Sequence, residues 1–401
     1  MNYLIRRTPI LSQKRFSNNV VELKKSTLKV ITIIGTRPEI IRLSRVMALL
    51  DEFVNHIVVH TGQNYDYELN EVFFKDLELR RPDYFLSVNT SSIGTVLGET
   101  LIKTEEVLRK EKPDAVLILG DTNSSIACIM AKRLKIPIYH MEAGNRCFDL
   151  NVPEEINRRI IDHTADFNLV YTENARRHLL SEGLPHRKIY LTGSPLFEVI
   201  NHYRDNIEQS NILEQLGLSR KEYFLVSAHR EENVDNPENL EKILSFLNKL
   251  ATKYGKRVIF STHPRTRNRL EKFESYKLDN KVEFHKPFGF FDFVHLEMNA
   301  CCTISDSGTI SEESAILSFP AVTIREATER PESLDAGTIT LTGLDSDILL
   351  AAIEFTIEEF DRKVSRSVPK EYEICNTSWR VLKLIVGTAK LNSKWEGVIT
   401  F

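Results

Sequence analysis

The chain contains 401 residues, a length that suggests two domains of ordinary size. Its apolar fraction of 42% and charged fraction of 27% are those of a soluble globular protein, and no apolar run approaches the roughly 18 residues of a membrane span. The formal net charge of -3 excludes a strong global attraction to nucleic acid or to an anionic membrane, so a phosphate-bearing ligand must be held by a local site.

The basic N-terminus and the cysteines bear on the compartment in which the protein works. Residues 1–27 form a basic extension in which Glu22 is the only acid. We expect a disordered tail there, and the alternative is a targeting peptide, because such peptides are basic and poor in acids. The five cysteines have an odd count and no regular spacing, which argues against a disulfide framework and predicts a reducing, cytoplasmic location.

Short runs rich in Val, Ile and Leu alternate with helical patterns along most of the chain. Nearly continuous apolar runs are typical of strands buried on both faces of a parallel sheet, and their alternation with helices predicts right-handed βαβ units. The first series of predicted strands covers residues 30–34, 56–60, 116–119, 136–140, 168–172 and 188–192. The second series covers residues 224–228, 257–262, 282–285, 301–304, 321–324 and 338–342.

The two series are separated by a polar, charged helical stretch that follows Pro195 and runs to about Leu218. We therefore predict a hinge near residues 195–200, between a Rossmann-like domain over 28–196 and a second one over 197–369. A C-terminal helix and tail over 370–401 is expected to pack back on the first domain. The predicted fold is α/β, with two parallel sheets that face a central cleft, where open α/β sheets bind their ligands.

Polar residues follow several strands of the first predicted sheet. The turn 35–38 opens a helix, and a helix N-terminus beside Arg37 is a natural anion site, unless Arg37 is a surface residue of a plain turn. Asp121 follows the third strand, where it is either an acid in the cleft or a helix N-cap. Glu142 is less easily explained as a cap, which favours a functional carboxylate.

A predicted helix that begins at Pro153 carries further polar candidates. Its residues Glu154, Asn157 and Arg158 share one face, opposite to an apolar face. If the polar face borders the cleft, it offers an acid and a cation side by side. The alternative is a solvent-exposed Glu–Arg pair.

The second predicted sheet has histidines and a phosphate-type turn at its strand ends. His229 and His263 follow two consecutive strands, and two such histidines are less easily dismissed as structural than one. Residues 305–310 form a Ser/Gly turn that opens a helix, a geometry that presents backbone N–H groups to a phosphate. This helix carries Glu312 and Glu313, and one turn into it a Glu could reach a ribose diol. A plain βα turn is the alternative.

Three carboxylates thus belong to the first domain, and the phosphate-type features belong to the second. This division suits a diphosphate ligand bound by the second domain and acid/base chemistry in the first. Carboxylates that share a cleft can have different pKa values, so that one acts as an acid and another as a base. The sequence has no HExxH, paired CxxC, Asp-rich or GxSxG motif, and the first turn is not GxGxxG. We therefore predict neither a metal nor a redox cofactor.

In their order along the chain, these motifs resemble the non-hydrolysing UDP-N-acetylglucosamine 2-epimerase family. The matching stretches, from about residue 28 to 345, are Gly35-Thr-Arg-Pro-Glu39, His60-Thr-Gly-Gln63, Gly120-Asp-Thr122, His140-Met-Glu-Ala-Gly144, Pro153-Glu-Glu-Ile-Asn-Arg158, Asp306-Ser-Gly308 with Glu312-Glu313, and Thr328-Glu-Arg-Pro331. Each motif is short, but the ordered set is highly specific. The resemblance implies a glycosyltransferase-B-like fold and a homodimer.

The resemblance also implies a reaction and the residues that serve it. A base removes the C2 proton while UDP leaves C1, and UDP re-adds after protonation on the other face, which needs two acid/base groups and a closed cleft. The implied acid/base candidates are Asp121, Glu142 and Glu154, with the choice of base left open, and His229 beside the diphosphate. The implied substrate-binding residues are Arg37, Ser307, Gly308 and Thr309 at the phosphates, Glu313 at the ribose, Phe293 beside the uracil, and Arg42, Arg158 and Arg330 as further cleft contacts.

Departures from the common family pattern bear on the sugar. The usual Lys of the first motif is Arg42, the stretch 143–149 differs from the commoner AGLR form, and the spacing from Glu142 to Glu154 is short. The usual His-Pro-Asn-Pro is His263-Pro-Arg-Thr266. These features look like the bacterial UDP-N-acetyl-L-fucosamine synthases, whose substrate is UDP-2-acetamido-2,6-dideoxy-L-talose, used for surface polysaccharides. The alternatives are a UDP-GlcNAc/UDP-ManNAc 2-epimerase, a glycosyltransferase of the same fold, and an inactive nucleotide-sugar sensor.

Overall fold

The structure, a computed structural model, describes residues 25–62, 73–271 and 276–397. Most of the basic extension 1–27, Gln63 of the second matching stretch, and the last four residues of the tail lie outside these ranges. No helix within the described ranges is both long enough and apolar enough to cross a lipid bilayer. The described chain forms two parallel sheets flanked by helices.

The first sheet has the strand order β3-β2-β1-β4-β5-β6-β7, and all of its paired strands are parallel. Its inner strands are buried on both faces, as their apolar runs predict. The strands are β1 (Lys29–Ile34), β2 (Asn55–His60), β3 (Tyr84–Phe85), β4 (Ala115–Leu119), β5 (Ile138–Ala143), β6 (Phe167–Val170) and β7 (Ile189–Leu191).

The second sheet repeats this order as β10-β9-β8-β11-β12-β13, again with parallel pairs. In both sheets the order reverses beside the first strand, which opens a crevice at the carboxyl ends of the strands. The strands are β8 (Tyr223–Ser227), β9 (Arg257–Ser261), β10 (Val282–His285), β11 (Thr303–Ser305), β12 (Ala321–Thr323) and β13 (Thr340–Leu341).

Helices connect the strands and cover both sheets. Those around the first sheet are α1 (Arg37–Phe53), α2 (Ile93–Glu111), α3 (Cys128–Arg133), α4 (Pro153–Thr164), α5 (Glu173–Ser181), α6 (Leu196–His202) and α7 (Arg204–Glu208). Those around the second sheet and at the C-terminus are α8 (Ile212–Gln215), α9 (Glu231–Val234), α10 (Pro237–Tyr254), α11 (Pro264–Leu270), α12 (Phe290–Asn299), α13 (Ile310–Leu317), α14 (Pro331–Asp335), α15 (Ser346–Asp361) and α16 (Thr377–Trp395).

The C-terminal helix α16 packs on the first sheet's layer of helices. Trp379 lies 5.4 Å from Phe53 of α1 between ring centroids, and the hydroxyls of Tyr139 and Thr388 are 2.7 Å apart. Val381, Leu382 and Ile385 of α16 are part of the same buried cluster as α1 and α6. The return of this helix agrees with the pattern of the sequence, whereas the domain boundary at residue 196 stays a prediction.

Two strand predictions differ from the structure. The short strand β3 was not predicted, because it is only two residues long and Phe85 is exposed. The strand β5 was predicted to end at His140, but it continues to Ala143 through a bulge between Met141 and Ala143. Glu142 therefore lies inside the bulged end of a strand and not in the loop after it.

Candidate active site

One cleft lies between the carboxyl ends of the two sheets. It has three parts, which we call the aromatic cavity (about 470 Å³), the polar cavity (about 170 Å³) and the outer cavity (about 540 Å³). All three are lined by Thr36, Thr122 and Glu154 from one side and by His229 from the other. The spatial convergence expected from the strand-end residues is therefore present.

The cleft gathers nearly every residue singled out in the sequence. The lining includes Arg37, Arg42, Asp121, Glu142, Glu154, His229, Phe293, Ser307, Gly308, Thr309, Glu313 and Arg330. Arg158 is the exception, because it is buried and does not line the cleft itself, but it pairs with the lining residue Asp121.

The turn after β1 is held by a buried acid. The Glu39 carboxylate accepts hydrogen bonds from the backbone N–H groups of Gly35 (2.8 Å) and Thr36 (2.6 Å), and from the hydroxyl of Thr122 (2.8 Å). Glu39 thus ties the loop after β1 to the loop after β4. The neighbouring Arg37 lines the aromatic cavity, where its guanidinium lies 5.5 Å from the ring centroid of Phe73.

The turn between β11 and α13 has the form expected of a phosphate cradle. The hydroxyls of Ser307 and Thr309 are 2.9 Å apart, and the backbone N–H of Thr309 donates to the Ser307 hydroxyl at 3.3 Å. A Cβ atom at Gly308 would come within 2.6 Å of the Glu329 carboxylate, so the turn has no room for a side chain there. Ser307, Gly308 and Thr309 all line the polar cavity.

A buried aspartate joins this turn to the loop after β8. The Asp306 carboxylate accepts hydrogen bonds from the backbone N–H groups of His229 and Arg230 and from the Asn233 amide, all at 3.0–3.1 Å. The Nδ1 atom of His229 lies 3.3 Å from the same carboxylate. Sequence reasoning assigned Asp306 only to a motif, and the structure shows that it positions His229 beside the cradle.

The second strand-end histidine is kept neutral. Burial, followed by the nearby His229 and Arg37, lowers the pKa of His263 to about 4. Its Nδ1 atom accepts a hydrogen bond from the backbone N–H of Arg265 at 3.2 Å, and its ring centroid lies 5.7 Å from that of His229. His263 therefore lines the cleft as a neutral imidazole.

Glu142 has an unusual backbone conformation, and two arginines pair with its carboxylate. Its φ of 66° lies in the left-handed region, which few non-glycine residues adopt. Its carboxylate pairs with Arg42 and, at 2.7 Å, with Arg330. Burial pushes the pKa of Glu142 upward, but the charges of Arg42 and Arg330 outweigh it, and the net shift is downward. Glu142 is therefore a charged carboxylate.

The ion pairs of Glu142 extend to Glu312. This fully buried carboxylate pairs with Arg330, lies 3.4 Å from Arg42, and accepts a hydrogen bond from the Ser194 hydroxyl. We call Arg42, Glu142, Glu312 and Arg330 the cross-cleft network, because two members come from each sheet's side of the cleft. Glu312 stands beside Glu313 in the matched motif, but an acid in the first turn of a helix is equally typical of a helix start.

Asp121 and Glu154 form the second group of acids. The Asp121 carboxylate accepts hydrogen bonds from Arg158 at 2.7 and 3.1 Å, and Arg158 is itself fixed by Glu155 at 2.7 Å. The N-cap of the following 3-10 turn is Thr122, so Asp121 does not have the alternative role of a cap. Burial first, and then the charge of Asp121, raise the pKa of Glu154, which favours a carboxyl that can hold a proton.

The helix that carries Glu154 buries its polar face. Asn157 donates to the Asp121 carbonyl at 2.9 Å, whereas Ile156 and Ile160 are exposed. The alternative of a solvent-exposed pair between Glu154 and Arg158 is therefore wrong. The partners of Arg158 are Asp121 and Glu155.

Two Rossmann-like sheets that enclose one cleft, with acids on one side and a phosphate-type turn on the other, define a glycosyltransferase-B-like enzyme of nucleotide-linked sugars. A family model described as UDP-N-acetylglucosamine 2-epimerase matches residues 49–386. The chain belongs to this family, of the non-hydrolysing type, and is an isomerase that acts as a UDP-sugar 2-epimerase.

Relatives of known name and structure agree with this assignment. The UDP-N-acetylglucosamine 2-epimerase of Methanocaldococcus jannaschii is 38% identical over 83% of this chain and 93% of its own length. A UDP-2,3-diacetamido-2,3-dideoxy-D-glucuronate 2-epimerase from Pseudomonas aeruginosa is 33% identical over 80% of this chain and 90% of its own.

Two solved structures are similar over almost their whole length. The UDP-N-acetylglucosamine 2-epimerase from Rickettsia bellii is 47% identical, with a TM-score of 0.86, and the match covers 92% of this chain and 99% of that one. The Methanocaldococcus jannaschii enzyme in complex with UDP-GlcNAc and UDP is 36% identical, with a TM-score of 0.84, and the match covers 90% and 100% of the two chains.

Proposed function

We propose that the chain inverts C2 of a UDP-N-acetyl-amino sugar by eliminating UDP and adding it back. The observation that carries this proposal is that Glu154, with its raised pKa, lines the same cleft as the phosphate-type turn 307–309. An elimination across C1 and C2 needs a leaving diphosphate held at one side of the sugar and groups that move a proton at the other.

The aromatic cavity suits the nucleoside and the diphosphate. In this proposal Phe293 flanks the uracil and Glu313 binds the ribose. Arg37 and the turn 307–309 hold the phosphates, and His229 lies beside the diphosphate. The turn favours the leaving group because the hydroxyls of Ser307 and Thr309 lie at the start of α13, where hydrogen-bond donors and the helix dipole stabilise developing negative charge.

The acids of the polar cavity move the proton at C2 and orient the sugar. Removal of the C2 proton and cleavage of the C1–O bond leave a 2-acetamidoglycal and UDP; a proton returned to the other face of C2 allows UDP to re-form the C1–O bond. Glu154, which burial and the charge of Asp121 push towards its protonated form, is suited to give a proton, and Asp121 lines the same cavity. Glu142, held by two arginines, contributes its charge to the orientation of the sugar and becomes a base only if it changes partners.

We propose UDP-2-acetamido-2,6-dideoxy-L-talose as the substrate and UDP-N-acetyl-L-fucosamine as the product. Two residues that depart from the common family pattern contact Glu142, which lines the polar cavity, and this supports a distinct sugar subsite. Arg42 pairs with Glu142, and the Asn145 amide lies 3.5 Å from the same carboxylate. UDP-GlcNAc is the second candidate, because several relatives carry that substrate in their names.

The test offers each UDP-sugar separately in D2O and follows the products by NMR. We expect inversion at C2 with deuterium at that carbon for the L-talose derivative, and little turnover of UDP-GlcNAc. Label only in the UDP-GlcNAc and UDP-ManNAc pool would replace the first substrate by the second. Sugar transfer to an acceptor without exchange at C2 would contradict the whole proposal.

We also propose that the enzyme is a homodimer in the cytoplasm, and that a hinge near residues 195–200 closes the cleft. Closure would retain the glycal, which is lost if it leaves the site before UDP returns. Sedimentation equilibrium at several concentrations checks the dimer, and a monomer mass throughout the range would exclude it.

A further inference from the structure

A carboxyl group without a partner faces the nucleoside end of the cleft. Glu297 lies on α12, one turn beyond Phe293, and both residues line the aromatic cavity. Its side chain is 1% exposed, and neither carboxyl oxygen has a hydrogen-bond partner. Leaving a buried polar group unsatisfied costs about 1–3 kcal/mol, so a position that served packing alone would suit Leu or Met better.

A second buried carboxyl lies close to it. Glu313 on α13 lines the same cavity and is 7% exposed. Burial first, and then the charge of Glu313, raise the pKa of Glu297 well above its usual range, and burial raises the pKa of Glu313 to about 7. Because Thr309 and Arg42 favour the ionised form of Glu313, whereas burial and the charge of Glu313 both favour the neutral form of Glu297, Glu297 is the member of the pair that keeps a proton.

We propose that Glu297 is a protonated carboxyl that binds the ribose of the substrate together with Glu313. This inference rests on the proposed function, which places UDP in the aromatic cavity. An ionised carboxylate only accepts hydrogen bonds, whereas a ribose hydroxyl both donates and accepts. Glu313 accepts from the vicinal hydroxyls and Glu297 donates to one of them, so each side of the diol finds a complementary group.

The protonation of Glu297 makes nucleotide binding dependent on pH. The titratable groups that face it are Glu313 from α13 and Tyr223 from β8, and Arg42 acts on Glu313 from the other side. Loss of the proton would place two carboxylates beside an anionic ligand. UDP affinity therefore falls as pH rises through the pKa of Glu297.

The experiment measures the Kd of UDP and of 2′,3′-dideoxy-UDP by calorimetry for the wild type, Glu297→Gln and Glu297→Met. Glu297→Met should weaken UDP by about tenfold, the loss of one hydrogen bond, and leave the dideoxy nucleotide unaffected. Glu297→Gln keeps a donor and an acceptor, so it should bind UDP within about threefold of the wild type and lose the decline at high pH.

A structural role for Glu297 predicts a different result. Replacing an unsatisfied carboxyl by Met would then change the urea midpoint but not the Kd of UDP, and that outcome overturns the inference alone. An equal loss for both nucleotides overturns the assignment to the diol. A wild type that fails to bind UDP overturns the proposed function as well. Met298→Leu on the same helix controls for packing.

Discussion

The conformation of Glu142 shows how one residue can be placed by the backbone and not by its own side-chain preference. The bulge in β5 puts Glu142 at a φ of 66°, and the carboxylate then meets Arg42 and Arg330. A left-handed residue in a bulged strand re-aims its side chain, and such positions cluster at functional sites. The charge of Glu142 is thus fixed before any substrate binds.

Removing that charge should slow the reaction without weakening nucleotide binding. We expect Glu142→Gln to reduce turnover by about 10²-fold or more, because general acid/base and orienting groups contribute on that scale, and to leave UDP affinity nearly unchanged. Steady-state kinetics with a separate measurement of UDP binding check this. Glu173→Gln, which removes a surface acid paired with Arg176, is the control. Unaltered turnover would remove Glu142 from the mechanism.

His60 makes the stability of the fold sensitive to acid. Burial lowers the pKa of His60 to about 4, and its Nδ1 atom accepts a hydrogen bond from the Gly62 N–H at 3.0 Å. A folded-state pKa below the unfolded value of about 6.5 gives a contribution that is complete above pH 6.5 and is lost as the pH falls towards 4.

This histidine should account for about 2 kcal/mol of the stability lost between pH 7 and pH 5. Urea unfolding at each pH, compared between the wild type and His60→Gln, measures the difference in slope. Gln cannot take up a proton, so the variant should lose less stability over this range. Equal slopes for the two proteins would show that His60 is not the titrating group.

Residue roles were only partly predictable from the sequence. Asp121 and Glu142 stand out because a carboxylate at the end of a buried strand adds nothing to the packing of the sheet, and Glu154 stands out as the acid of a polar helix face. Glu312 was missed because an acid in the first turn of a helix also stabilises the helix dipole. Its partners Ser194 and Arg42 are 118 and 270 residues away, and no local pattern encodes such distances.

At the scale of elements, contacts around the cleft explain two features better than local sequence preference does. These features are the glycine in the turn between β11 and α13 and the orientation of the helix α4. Gly308 is required by the approach of Glu329, and α4 turns its polar face inward while Ile156 and Ile160 stay exposed. An ordinary surface helix buries its apolar stripe. The periodicity of the sequence therefore predicted the helix α4. It did not predict that the polar face would be the buried one, because that depends on the charged residues around the helix.

A methyl group at Gly308 should disturb the phosphate-type turn. The Cβ of Gly308→Ala would meet Glu329, which Arg325 holds in place, and relief of that contact should cost about 1 kcal/mol and weaken UDP binding by about tenfold or more. Calorimetry and urea unfolding give the two numbers. Gly387→Ala in α16 is the matched control, because its Cβ meets nothing within 4 Å and should leave UDP binding unchanged.

Strands were the most predictable elements, because the buried sheets need continuous apolar runs. Twelve of the thirteen described strands overlap the predicted runs, and β3 was missed since a strand of two residues, one of them exposed, carries no such signal. The bulge that extends β5 was also invisible, as no glycine marks the left-handed position of Glu142.

At the scale of the whole molecule, ion pairs and hydrogen bonds across the cleft connect the two halves of the chain. Ser194, Arg42 and Glu142 meet Glu312 and Arg330, and Thr172 donates a hydrogen bond to Glu332. The repeated sheets and the shared cleft followed from the sequence pattern. The contacts across the cleft did not, because they depend on how two finished domains approach one another.

Breaking the cross-cleft network should destabilise the protein strongly. Glu312→Gln leaves Arg42 and Arg330 with Glu142 as their one remaining acid in the network, and the loss of one partner from a buried pair costs about 3 kcal/mol. Urea unfolding followed by fluorescence measures the change. Glu208→Gln, which removes an exposed pair with Arg204, should cost less than about 0.5 kcal/mol. Similar values for the two variants would show that the network adds no stability.

The return of α16 to the first sheet has a consequence for synthesis on the ribosome. Residues 377–395 complete a buried cluster that includes residues of β1, so this cluster lacks one of its walls until α16 has been translated. The second half, by contrast, holds the six strands of its sheet between residues 223 and 341 and can form its core while the last helix is still in the exit tunnel. The half that is made first is therefore the half that matures last.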